Sequence, residues 1–434
     1  MARILIISAW YRPFIHPRAH RWACIAEHLA EKGHEVHVVC SRRRDCPDES
    51  MLNGVHVHRT GFDSLKEVAY FLFRTKTGRG RVGAGISRPS LAARAAMWLY
   101  RFFWKKIYFP DDACLWYFPA CRKVKTLLKS LQRFDAVVSV SLPFTGHLVG
   151  WAAKRQSTDI RWLADIGDPF TIQPKPPNND FLYGRFSTYL ERAVLEKADA
   201  VVVTNAGALR AYRERFGEVA DKLKVVPPLW HAHPQAQGGG GHALENGAFF
   251  WLGFFGALYA PTRTPDAFLD LLQKTCAARP HLRGSLSAHF FGEIFPEFFE
   301  KLSREPYVVL HGLCSRSEAQ AAMRQMNVLV NIGNTTDYQL PSKVVEYLAT
   351  GKPVLHFSYV ERDPFIDFWG NTPGLLTLRV RDGSISDDDI SRWLTFLETK
   401  HPEPTAAERL ERVHKFTVPV VAELYAGLLL LNTH

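Results

Sequence analysis

The chain has 434 residues, 47% hydrophobic and 22% charged, with 54 Lys and Arg against 43 Asp and Glu for a formal net charge of +11. That length gives room for two domains, each with a core of ordinary size, and no apolar stretch reaches about 18 residues without a charge, which excludes a membrane-spanning helix. Seven cysteines, at 24, 40, 46, 114, 121, 276 and 314, are odd in number and lack metal-ligand spacing, which fits a reducing cytosol.

In chain order, Arg3-Ile4-Leu5-Ile6-Ile7-Ser8 reads as a buried strand. An amphipathic helix follows from about Arg18 to Lys32 and stops at Gly33, and strand Glu35 to Cys40 completes a βαβ unit. The opening apolar run is too short for a signal peptide. Residues 1–130 hold 23 Lys and Arg against 10 Asp and Glu, so this part carries +13 and the remainder about −2. Within it, the stretch at about 66–109 mixes cations (Arg74, Lys76, Arg79, Arg81, Arg88, Arg101, Lys105, Lys106) with Trp98, Tyr100, Phe102, Phe103 and Trp104. Such a segment suits an anionic bilayer surface, with rings at headgroup level and cations outside; a core-facing helix with basic flanks is the plainer alternative. Nucleic acid would also suit a basic aromatic stretch, but no recognition motif accompanies it.

Asp135 to Phe144, leading to His147, and Arg161 to Phe170, containing Asp168, are each a strand running into a polar loop, which places both loops at one sheet edge. His147 reads equally well as a helix-start histidine with structural duties. For Asp168 a role in function is favoured over a turn. Helix Glu191 to Lys197, strand Ala200 to Thr204 and helix Ala206 to Phe216 continue the alternation, and Val225-Val226-Pro227-Pro228 ends a strand. Residues 235–247 contain Gly238 to Gly241 and read as a flexible linker between domains.

The second half opens on Phe249 to Tyr259, a buried strand with a turn at Gly256, then Arg263 before a helix from Pro265 to Lys274. Strand Asn327 to Ile332 and strand Pro353 to Phe357 flank a helix of about three turns that begins at Pro341 and stops at Gly351. Its N-terminus, with the N–H groups around Ser342 and the Lys343 cation, suits phosphate. Lys343 and Glu346 share a face, so cation and carboxylate can meet one ligand, although a surface ion pair is the plain reading. Asp111-Asp112 and Asp387-Asp388-Asp389 read as acidic turns or a helix start, and no metal is expected. A last helical stretch runs from about Ala406 to Leu431.

At Pro341-Ser342-Lys343, Glu346-Tyr347-Leu348 and Gly351-Lys352-Pro353-Val354 the sequence resembles the retaining glycosyltransferases of family 4, with the GT-B fold, among them enzymes that build bacterial surface polysaccharides such as lipopolysaccharide. The turn Gly33-His34-Glu35-Val36, the Ser141-x-Pro143 segment before His147-Leu148 and the Asp165-x-x-Asp168-Pro169 segment extend the resemblance into the first half. It implies an α/β chain of two Rossmann-like domains facing across a cleft. These are an acceptor domain at 1–234 and a donor domain at 248–405, joined by the 235–247 linker, with the 406–434 helix crossing back to the first. It implies transfer of a sugar from a nucleotide diphosphate sugar to a hydroxyl of a glycolipid or polysaccharide, with no cofactor and no metal, by a cytoplasmic enzyme peripheral to the inner face of the plasma membrane. Glu346 matches the second of two donor-site glutamates and is expected on the ribose; Tyr338 stands where the first would be. Gly256, Arg263, Ser342 and Lys343 are expected at the diphosphate, and Asp168 and His147 at the reacting sugar or acceptor. Departures are Tyr338, Ala257, Leu142, Phe170, Gly167 where relatives carry arginine, and a first loop at 11–18 whose usual glycines are missing, leaving Arg12 or Arg18 to supply charge. They leave room for a second function class, an inactive relative that binds a nucleotide, glycan or partner.

Overall fold

The computed structural model describes residues 1–65, 67, 104–131, 133–231, 250–260 and 262–430. The glycine-rich linker at 235–247 and most of the basic segment at 66–109 lie outside them. The chain divides into two compact units, Met1–Leu229 together with Val418–His434, and Trp230–Thr417.

The first unit is built on eight strands: β1 (Arg3–Ile7), β2 (Glu35–Cys40), β3 (Glu49–Leu52), β4 (Val55–Arg59), β5 (Ala136–Val140), β6 (Arg161–Asp165), β7 (Ala200–Val203) and β8 (Leu223–Val225). Their order is β3-β4-β2-β1-β5-β6-β7-β8, parallel throughout except for the β3–β4 hairpin. The central strands β1, β5 and β7 are short, mostly apolar runs buried on both faces, as parallel strands require. Helices α1 (Pro17–Glu31), α2 (Tyr117–Ser130), α3 (Thr145–Gln156), α4 (Asp180–Lys197) and α5 (Ala206–Arg215) form the crossovers among the described residues. Gly33, at φ 85°, takes the left-handed turn after α1 that lets the chain enter β2. The chain direction reverses across the sheet between β1 and β5, so the loops leaving these two strands part there and open a crevice at their carboxyl ends.

The second unit repeats the plan with β9 (Phe250–Phe255), β10 (Leu286–Phe291), β11 (Val308–Gly312), β12 (Val328–Ile332), β13 (Val354–Ser358), β14 (Leu375–Arg381) and β15 (Ser384–Ile385), in the order β11-β10-β9-β12-β13-β14-β15. Its corresponding switch point lies between β9 and β12. Helices α6 (Asp266–Ala278), α7 (Pro296–Ser303), α8 (Arg316–Gln325), α9 (Val344–Thr350), α10 (Pro364–Trp369), α11 (Asp387–Glu398) and α12 (Ala406–Val413) surround the sheet.

Two expected helices are corrected. The helix after β12 has 7 residues rather than three turns, because Pro341 to Lys343 form a turn ahead of it; Gly351, at φ 70°, ends it as expected. The stretch from 406 to 431 is two helices, α12 and α13 (Val418–Leu429), broken by a 3-10 turn at His414–Phe416 and the extended Thr417. Pro419 cannot donate into a helix arriving from the N-terminal side, so it fits only the first turn of a new one. Helix α13 belongs to the first unit. Its Val421, Ala422, Tyr425 and Leu429 pack into the same core as Trp22, Ile25 and Leu29 of α1.

Candidate functional site

In the first unit the loops after β1, β5 and β6 meet at the switch point. Asp165, at the end of β6, is fully buried and accepts hydrogen bonds from Trp22 Nε1 (2.7 Å) and Tyr425 Oη (2.7 Å) and pairs with Arg18. The Arg18 Nε also donates to the Ser141 carbonyl at 2.9 Å. A Cβ at Gly167 would lie 2.8 Å from Arg18 Nε and 2.8 Å from the Ser141 oxygen. The guanidinium of Arg18 therefore fills the room of a side chain at 167 and stands as a fixed cation beside Asp165. Arg12, the other candidate cation, pairs instead with Glu27 at 2.9 Å.

The glycine-free first loop is filled by rings. Trp10 packs on His16 at 4.2 Å and donates to Asp63 at 2.6 Å, while Arg43 pairs with Asp63 at 2.7 Å and lies over the Phe14 ring. Asp168 sits half-buried on the loop after β6. That loop is anchored by the buried Glu191 of α4, which accepts from the backbone N–H groups of Phe170 (3.2 Å) and Thr171 (3.0 Å) and from Tyr212 Oη (2.6 Å). Phe170, a departure from the family pattern, stacks on Phe144 at 4.0 Å.

His147 lies in the first turn of α3 but is only 1% exposed, and its Nδ1 shares a 2.8 Å hydrogen bond with Ser139 Oγ, which also receives Trp162 Nε1. Burial lowers its pKa to about 3, keeping the ring neutral. The ring is enclosed against Ser139 and Phe144, and its Nε2 is buried without a hydrogen-bond partner among the described residues. Asp111, likewise buried, accepts from the Thr145 N–H at 2.9 Å and the Thr145 hydroxyl at 2.7 Å and so fixes the start of α3, while Ser386 caps the Asp387 to Asp389 turn at the start of α11.

In the second unit the switch point gathers two groups of predicted residues. Gly256 follows β9 and its N–H donates to the Phe291 carbonyl at 2.9 Å; Arg263 returns beside it, with Nη1 3.3 Å from where a Cβ on Gly256 would be. Arg263 Nη2 donates to Asn334 Oδ1 at 2.7 Å, on the loop leaving β12, and Asn334 in turn donates to the Gln339 carbonyl at 3.1 Å. The Arg263 Nε is buried without a partner among the described residues, and burial lowers the guanidinium pKa from its ordinary value. Gly292, at φ 130°, admits this close approach, since a Cβ there would lie 2.0 Å from the Gly256 oxygen.

The second group is Glu346 with two cations. Glu346 is 4% exposed; its Oε1 accepts from Arg316 Nη2 at 2.7 Å and lies 3.6 Å from Lys343 Nζ. Its Oε2 is buried without a partner among the described residues, so one oxygen is held in place and the other keeps its capacity to accept a hydroxyl. A small cleft lined by Glu346, Arg324, Gln320 and Trp230 adjoins it. Ser342 is exposed on the turn before α9, and Tyr338 is 6% exposed. Asp165 was named from the sequence only within the Asp165-x-x-Asp168-Pro169 segment; Arg316, Asn334 and Tyr425 were not singled out. Only Arg316 had a local signal, its place at the start of a helix with the Ser315 to Glu318 capping box.

A family model described as "Glycosyl transferase 4-like domain" matches residues 19–228. No relative is found among curated protein sequences. Among solved structures, sucrose-phosphate synthase from Thermosynechococcus elongatus is similar at a TM-score of 0.62 and 15% identity, over 99% of this chain and 98% of that one. A trehalose-6-phosphate protein from E. coli bound with UDP-2-fluoro glucose gives 0.62 and 13%, over 99% of both. WaaG, a glycosyltransferase involved in lipopolysaccharide biosynthesis, gives 0.52 and 15%, over 98% of this chain and 99% of that one. The fold is that of the GT-B glycosyltransferases. Within the GT-B plan the described switch points of both units are the places where a ligand meets the ends of parallel strands.

Proposed function

We propose that the protein transfers a sugar from a nucleotide diphosphate sugar to a hydroxyl of a glycolipid or polysaccharide acceptor, with retention at the anomeric carbon. The observation that carries this reading is the half-satisfied Glu346, one oxygen fixed by Arg316 and Lys343 and the other buried and open. An enclosed carboxylate oxygen without a donor is costly and is satisfied by a ribose hydroxyl. Arg263, held at Gly256 by Asn334, together with Lys343 and the N–H groups around Ser342, would take the departing diphosphate. Tyr338 would pack near the donor without supplying a charge. Asp168, on a loop pinned by Glu191, would face the reacting sugar or acceptor, with His147 supporting the first unit at one remove. Chemistry at the sugar would pass through an oxocarbenium-like transition state. A lipid-linked acceptor would bring the enzyme to the inner face of the plasma membrane, consistent with its basic first unit.

Calorimetry with UDP, GDP, ADP and dTDP tests the donor site. One nucleotide should bind, and Glu346→Ala and Lys343→Ala should each weaken it about ten- to hundredfold, as expected for lost charge-assisted hydrogen bonds. Full affinity in both folded variants would remove the assignment. Tyr338 and the aromatic first loop favour one alternative, an inactive binder, which would bind the nucleotide yet turn over none of its sugar derivatives.

A further inference from the structure

Helix α4 is amphipathic in an unusual sense. Its C-terminal half buries Glu191, Ala193, Val194 and Leu195, whereas its N-terminal half turns Phe181 (96% exposed), Leu182 (56%), Phe186 (50%) and Tyr189 (61%) to the surface. Positions 181, 182, 185, 186 and 189 fall on one face, and the remaining member of that stripe is the exposed Arg185. Leaving several large apolar side chains contiguous and exposed is unfavourable unless something covers them.

The stripe extends beyond the helix. The turn at Lys105–Ile107 is tied to α4 by hydrogen bonds from Tyr183 Oη to the Ile107 carbonyl (3.0 Å) and from Asn179 Nδ2 to the Lys106 carbonyl (3.2 Å). Phe109 packs between Tyr183 and Phe186, with ring centroids 4.9 Å from each, stacked on Phe186 and tilted against Tyr183. Ile107, 56% exposed, and the exposed Lys106 thus join Phe181, Phe186 and Arg185 in one surface. The chain leading into that turn is strongly cationic, with eight Lys and Arg against one Glu between residues 66 and 103. The whole first unit carries 36 Lys and Arg against 22 Asp and Glu, while the second carries 18 against 21.

We propose that this face of α4, with the Lys105–Ile107 turn, is where the protein lies on an anionic lipid bilayer. Phe181, Leu182, Phe186 and Ile107 enter the headgroup boundary, Tyr189 sits at its polar level, and Arg185 and Lys106 meet lipid phosphates. Apolar rings interleaved with cations match an interface that is greasy below and negative above; a second copy of this chain would bring a second set of cations against the first. The inference rests on the membrane-facing part of the proposed function and is read without turnover, so its failure is separable from failure of the donor site.

The test is sedimentation of the full chain with vesicles of phosphatidylcholine alone and with about one part in three phosphatidylglycerol. The wild type should bind the anionic vesicles and only weakly the neutral ones. Phe181→Ser combined with Phe186→Ser, and separately Arg185→Glu, should each cut that binding about tenfold or more. Both variants change exposed side chains, and far-ultraviolet dichroism with urea unfolding of each checks that the fold is kept. Wild-type vesicle binding by both variants, or no binding by the wild type, overturns the proposal, as does a concentration-dependent dimer that the double variant abolishes, which would make a second copy the occupant.

Discussion

Gly167 and Arg18 compete for one volume, and that competition explains a departure that looks like a loss in the sequence. With no side chain at 167, the guanidinium of Arg18 reaches across to Asp165 and the Ser141 carbonyl. Gly167→Ala should destabilise the first unit by about 1 to 3 kcal/mol, read by urea unfolding, because its Cβ must displace either backbone or a buried cation. His147 offers a second check. Its folded pKa, about 3, lies below the ordinary 6.5, so between those values the unfolded chain binds the extra proton and stability falls as pH drops through 6.5. From pH 7.5 to 5.5 the wild type should lose about 1 kcal/mol that a His147→Gln variant does not lose; parallel slopes in urea melts would contradict the buried neutral ring.

At the scale of elements, α13 closes the first unit from the far end of the chain. Tyr425 donates to Asp165 at 2.7 Å and accepts from Arg21 at 3.0 Å, while Val421, Ala422 and Leu429 complete the core over α1. Removing residues 418–434 should cost about 6 kcal/mol or more from lost apolar burial alone. It should leave a first unit that binds a hydrophobic dye and lacks near-ultraviolet dichroism, and an unchanged spectrum would show that α13 only rests on the surface. The short runs of β1, β2, β5 and β6 were legible because parallel strands buried on both faces are rich in apolar residues. Helix α4 was legible only from Glu191 onward: its first half shows apolar residues to the surface, so the usual rule that such residues face the core misreads it. The helix after β12 was read too long because Pro341 fits a first turn equally well as a residue just outside it.

For the molecule as a whole, charge is divided as the topology divides the chain, and a basic first unit should make association with anionic vesicles weaken as salt rises, most of it gone by about 1 M. Salt-independent binding would place the attraction in the rings alone. The alternation of strand and helix, its interruption between residues 235 and 247, and the Lys343 to Glu346 spacing are properties of nearest neighbours along the chain, set by periodicity, turn residues and helix geometry. By itself, then, the sequence determined the α/β class, the candidate positions on strand-end loops and the uneven charge. Only tertiary structure decided which of those positions touch: that Arg18 answers for Gly167, that Arg316 joins Lys343 on Glu346, that Asn334 holds Arg263, and that His147 is sealed inside. Those pairings join residues brought together when strands distant in sequence become neighbours in a sheet, and no local pattern encodes which side chains then meet across the edge.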